Sequence, residues 1–144
     1  VPYRKWPRAA AMFHRMLRAA ESIDAATAAG HGVLEICSGY EDLLPRGMAK
    51  VRALAGGVRR PADGAVDIGA LPPEPAKAAD GRILSASARS IIDEAIVAGA
   101  AARSWKAALE IGYAAFGKSA TTAAAREGIS AFGERRAPDF SKTG

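Results

Sequence analysis

The sequence is short of the residues that build self-contained chemical sites. It holds one cysteine, Cys37, and two histidines, His14 and His31, in 144 residues. A single cysteine excludes an internal disulfide and any cysteine-rich zinc module. The histidines have no H-x-x-x-H spacing, so no metal site is expected. Aromatic residues make up only 6%, and Ile and Thr are also sparse, which leaves little material for sheet. No apolar run approaches the roughly 20 residues of a membrane span. The opening Val1-Pro2-Tyr3-Arg4-Lys5-Trp6 has neither an initiator Met nor the apolar stretch of a signal peptide. No membrane partner and a reducing, cytoplasmic location are therefore expected.

What is present favours helix. Alanine supplies about a quarter of the residues, and it is the strongest helix former. The Ala and Arg excess over Lys suggests a bacterial source. Hydrophobic residues at 49% and charged residues at 24% match soluble globular chains. A chain of this length buries about two-thirds of its unfolded surface and needs no staple. The net charge of +5 raises nucleic acid as a partner. The basic residues are, however, spread from Arg4 to Lys142 with no interleaved aromatics, so no nucleic-acid partner is expected.

Periodicity predicts a helix over 8–20, with Met12, Phe13, Met16, Leu17 and Ala20 as its apolar stripe and His14 partly exposed. Asp24 caps a short helix that ends near Gly30-His31-Gly32, with His31 as a loop residue. Val33–Ile36 reads as a short strand that leaves Cys37 a half-buried, inert thiol. Asp42 caps the next helix, with Pro45 in its first turn, Leu44, Met48, Val51 and Ala55 as its buried face, and Gly56-Gly57 as its stop. Residues 58–81 carry Pro61, Pro72, Pro73 and Pro75 without any period. They form an extended linker or insertion that joins two parts or wraps a surface.

Three helices follow. Ser85 or Ser87 caps the first, with Ala88, Ile91, Ile92, Ala95 and Ile96 inward and Gly99 near its end. Ser104 caps the second, with Trp105, Leu109, Gly112 and Phe116 inward and Gly117 as its close. Thr122 caps the third, with Ala125, Ile129 and Phe132 inward, and Pro138 ends regular structure. Asp93, Glu94 and Glu110 read as solvated, and Glu127 as a structural salt bridge. No nucleophile elbow and no phosphate-binding glycine loop occurs. The residues thus describe a helical chain with no catalytic site of its own.

The last helix also resembles a known signature. Ala125-Arg126-Glu127-Gly128-Ile129-Ser130-Ala131-Phe132-Gly133-Glu134-Arg135-Arg136-Ala137-Pro138-Asp139-Phe140 is similar to the C-terminal pattern A-x-E-G-x-x-A-F-x-E-K-R-x-P-x-F of the crotonase family, the enoyl-CoA hydratases and isomerases. Upstream, Met16–Ala25 resembles the family's L-T-G-x-x-I-x-A stretch, with Ala19-Ala20 in place of Thr-Gly, and Gly32-Val33-Leu34 stands for its G-L-V. The helix from Leu43 to Ala55 also matches.

The resemblance implies an α/β crotonase-like ββα spiral in the parent protein, of which this mostly α chain is the last part. Residues 1–57 end the core, 58–81 are the linker, 82–140 are trimerisation helices and 141–144 are a tail. The implied activity is enolate chemistry on acyl-CoA thioesters, stabilised by an oxyanion hole. The catalytic residues would precede Val1, and the chain would be a cleaved or partial product with no activity alone. No cofactor is implied, since acyl-CoA is the substrate. Phe132 and Arg135 are the positions that would touch CoA in a neighbouring subunit, by ring packing and phosphate pairing. A homotrimer or hexamer, or a chain supplying the N-terminal half, is the implied partner. The long insertion and Gly112–Gly117 also resemble crotonase modules fused to or paired with 3-hydroxyacyl-CoA dehydrogenases. The alternative is a helical assembly module of crotonase descent that has lost catalysis.

Overall fold

A computed structural model describes residues 2–57, 63–73 and 77–143. Seven helices account for most of them: α1 (Pro2–Lys5), α2 (Ala10–Arg18), α3 (Ala25–Gly30), α4 (Tyr40–Ala55), α5 (Ala86–Ala101), α6 (Trp105–Ala120) and α7 (Ala123–Gly133). Single 3₁₀ turns precede α2 at Pro7–Ala9 and follow α7 at Phe140–Lys142.

The helix starts follow side-chain chemistry. Asp24, Ser85, Ser104 and Thr122 each accept a hydrogen bond from the backbone N–H three residues on, at Thr27, Ala88, Ala107 and Ala125. Each cap satisfies a donor that the first turn leaves unpaired. Only residues 102–104 separate α5 from α6, so the two pack as an antiparallel hairpin. Their small residues Gly99, Ala100 and Ala108 are buried, and Lys118 reaches back to Glu94 at 2.9 Å.

The core lies where α1 and α2 meet α5. Tyr3, Ala9, Met12, Phe13 and Ile96 form it, and Met12 is only 1% exposed. Tyr3 and Phe13 meet edge to face, with centroids 5.7 Å apart. Val66, Ile68 and Leu71 of the expected linker pack against the same cluster. Residues 63–73 run as extended chain beside α5, with the Val66 N–H donating to the Ala100 carbonyl at 2.9 Å and the Trp105 N–H donating to Asp63 at 3.0 Å. Residues 58–62 and 74–76, which belong to the same expected segment, lie outside the described residues.

Several expectations are corrected. Val33–Ile36 forms no strand. A lone strand leaves its N–H and C=O groups unpaired, and the described residues hold only one isolated bridge, Lys77 to Ile83. Helix α4 begins earlier than expected, capped at Gly39, which makes Asp42 its third residue and puts Pro45 inside the helix. The expected buried face of α4 is exposed, and the helix buries no residue at all. On α2, Met12 and Phe13 are buried, but Met16 and Leu17 are exposed, because the inward face turns through His14 and Arg18 instead. His14 is therefore buried rather than partly exposed.

Gly117 does not close α6, which continues to Ala120. Its packed side is Ala108 with the half-buried Ile111 and Ala115, while Gly112 and Phe116 are exposed. On α7 the buried residues are Ala124 and Ala131, and Ile129 and Phe132 are exposed. On α6 small residues turn inward because α5 and α6 approach closely. The large side chains are left on the outer surface.

Candidate functional site

The two positions singled out for ligand contact both lie at the end of α7. Phe132 is 87% exposed and lines an apolar groove of about 550 Å³. Phe116 from α6 and Ile129 from α7 share that groove, and Phe140, the first residue of the last 3₁₀ turn, borders it. Core packing is thereby removed as the explanation for Phe132. The groove walls are mostly alanine, glycine and these large side chains, so it suits an apolar surface or a flat ring.

Arg135 is not in the groove. It occupies the left-handed region at φ +54° immediately past α7. The Arg135 N–H donates to the Phe132 carbonyl at 3.2 Å, and the Arg136 N–H donates to the Ala131 carbonyl at 3.0 Å. Those paired bonds form a Schellman stop, which normally takes glycine at the left-handed residue. The Arg135 side chain is exposed and makes no hydrogen bond or ion pair among the described residues.

Glu127 fixes the segment beyond the stop. It receives hydrogen bonds from Arg136 Nη1 at 2.5 Å and Nη2 at 3.1 Å, and from the Asp139 N–H at 2.8 Å. The Arg136 guanidinium and that N–H pull the Glu127 carboxyl down to about 2. Glu134, which also accepts from Arg136 and from Ser130, is likewise held below the usual carboxylate range by those bonds. Glu127 is thus a structural ion-pair residue, as its sequence context suggested.

Other candidates fall elsewhere. Cys37 is half-buried, beside α4. Glu94 and Glu110 are exposed and pair with Lys118 and Lys106. Asp93 is not a solvated face residue; it engages Arg18, whose side chain is 4% exposed. Among the described residues no group of three or more His, Cys, Asp or Glu is placed to hold a metal, and no helix is long and apolar enough to cross a membrane.

Sequence reasoning missed a second polar cluster. Tyr3 Oη and His14 Nδ1 are 3.0 Å apart in the core. Arg4 donates to the carbonyls of Gly64, Gly99 and Ala102. Arg18 donates to Asp93 and to the Pro72 carbonyl. The available signal was spacing: Arg18 stands one turn after His14 on α2, and Asp93 interrupts the apolar run of α5.

No family model, curated protein or solved structure matches this chain.

Proposed function

We propose that the chain is a non-catalytic helical assembly module, of crotonase descent by the resemblance of its last helix. The observation that carries this reading is the outer face of α6 and α7. Phe116 is 74%, Ile129 73% and Phe132 87% exposed, side by side along one groove. Each such side chain gains about 2 kcal/mol when buried, so a contiguous set left in water marks an interaction surface. The occupant proposed is the same face of further copies of this chain, giving the trimer or hexamer that the resemblance implies. Light scattering on the chain measures the assembly directly. A trimer or larger is expected, and Ile129→Asp with Phe132→Asp should dissociate it. A wild-type chain that is monomeric at about 100 μM, a concentration well above a micromolar Kd, overturns the reading.

A second reading is favoured by one feature, the unpaired Arg135 guanidinium three residues beyond the Phe132 ring. In it the chain is the C-terminal segment of an enoyl-CoA hydratase or isomerase, and these two side chains touch the adenine and phosphates of acyl-CoA in the neighbouring subunit. The oxyanion donors and proton-moving glutamates lie in the preceding segment. The chain alone then has no activity on crotonyl-CoA. In the protein completed by that segment, Arg135→Ala should raise KM for acyl-CoA about tenfold, with kcat preserved. An unchanged KM overturns this role.

A further inference from the structure

Helix α4 carries an apolar stripe that the described residues leave in water. Tyr40, Leu44, Met48, Val51 and Ala55 recur at spacings of 4, 4, 3 and 4. At about 100° per residue they fall within an arc of about 80°, a single face of the helix. All five are exposed, Leu44 by 73%. The helix turns a different side to the rest of the chain. Leu43, Lys50 and Leu54 face Val33 and Leu34 across a groove to which none of the stripe residues belongs.

The charges beside the stripe define what fits over it. Asp42 is paired with Arg46 at 4.0 Å, and Lys50 with Glu35. Glu41 and Arg52 are left over. Both are exposed, and their side chains make no hydrogen bond or ion pair among the described residues. They stand 11 residues apart, about three turns, and so lie on the same flank of the stripe, one at each end. The complementary surface is an apolar stripe with a cation opposite Glu41 and an anion opposite Arg52. The same helix turned end for end has that pattern.

We propose that α4 is a two-fold interface on which a second copy of this chain docks its own α4 in antiparallel orientation. The stripe is centred between Gly47 and Met48, so Leu44 of one helix lies level with Val51 of the other, and Tyr40 with Ala55. Glu41 then falls within about two residues, roughly 3 Å, of the level of Arg52 on the second copy. The two-fold makes that pair twice. Opposed helix dipoles favour the same orientation. A parallel pair would set Glu41 against Glu41 and Arg52 against Arg52. The interface is separate from the α6–α7 face and does not depend on it.

Sedimentation of the full chain carrying Ile129→Asp and Phe132→Asp tests the proposal with the α6–α7 face disabled. A dimer is expected at about 100 μM protein in about 20 mM salt. Adding Leu44→Asp and Val51→Asp should leave a monomer; both positions are exposed, so the core is untouched. Glu41→Arg alone and Arg52→Glu alone should each weaken the dimer at least about fivefold, and the two together should restore it to within about twofold. A monomer before any change to α4 overturns the proposal, as does a dimer that survives Leu44→Asp with Val51→Asp. A double reversal as weak as either single one overturns the antiparallel register. A wild-type chain that stops at a dimer supports the α4 interface and overturns the α6–α7 assembly, so the two failures are told apart.

Discussion

Arg18 and Asp93, 75 residues apart in sequence, meet in a two-pronged ion pair, with Nε to Oδ1 at 2.6 Å and Nη2 to Oδ2 at 2.8 Å. A third bond, from Arg18 Nη1 to the Pro72 carbonyl at 2.8 Å, adds the extended segment to the same contact. One guanidinium therefore ties α2, α5 and the chain between them. The fork geometry of arginine makes this possible where a lysine would hold one partner.

Removing the acid leaves that guanidinium buried without its carboxylate. Asp93→Ala should destabilise the chain by about 3 kcal/mol in urea unfolding. Replacing both partners by apolar residues, Arg18→Met with Asp93→Leu, should recover most of the loss. A single variant as stable as the wild type contradicts this account.

Two non-glycine residues sit in the left-handed region, Ala20 at φ +51° and Arg135 at φ +54°. A Cβ there costs about 1–2 kcal/mol, part of which glycine returns through its freer unfolded chain. Ala20→Gly and Arg135→Gly should each stabilise by about 0.5–1 kcal/mol, seen as a rise in Tm.

The burial of Tyr3 sets an alkaline limit. Burial pushes the Tyr3 phenol up to about 12, so its contribution to stability is complete below about 10 and is lost as pH rises through about 12. Tyr3→Phe should weaken that dependence in the pH 10–12 window. At neutral pH it leaves His14 Nδ1 buried without a donor, at a cost of about 1–3 kcal/mol. Unfolding curves at pH 7 and at alkaline pH measure both effects.

Glu127 sets an acid limit. Its carboxyl is held at about 2 in the folded chain against an ordinary 4.5. Its contribution is therefore full above about 4.5 and is lost as pH falls toward about 2. Hydrogen exchange at the Asp139 amide, which donates to Glu127, should speed up across that window. Glu127→Gln should exchange fast at every pH. An Asp139 amide whose protection is the same in both proteins disproves the link.

How much of this was legible in the sequence follows from the range of each interaction. Asp24, Ser85, Ser104 and Thr122 were readable as caps because a cap bonds three residues away. Ile91, Ile92 and Ile96 were readable as an inward face because α5 is packed along one side. Helix α4 misled because its stripe of Leu44, Met48 and Val51 is amphipathic, yet no neighbour among the described residues buries it. Ile129 and Phe132 misled in the opposite sense: their size suggested core, yet the residues that α7 buries are Ala124 and Ala131, and the large side chains face outward.

The sequence by itself determined the helical class, the caps, the helix-stopping glycines at Gly56-Gly57 and the absence of a self-contained catalytic motif, because those properties depend on residue type and local spacing. The tertiary structure decided which large side chains face water, why His14, Arg4 and Arg18 are buried, and where the extended segment runs. Burial and long-range ion pairing are set by which distant segments meet, and local spacing carries no record of that.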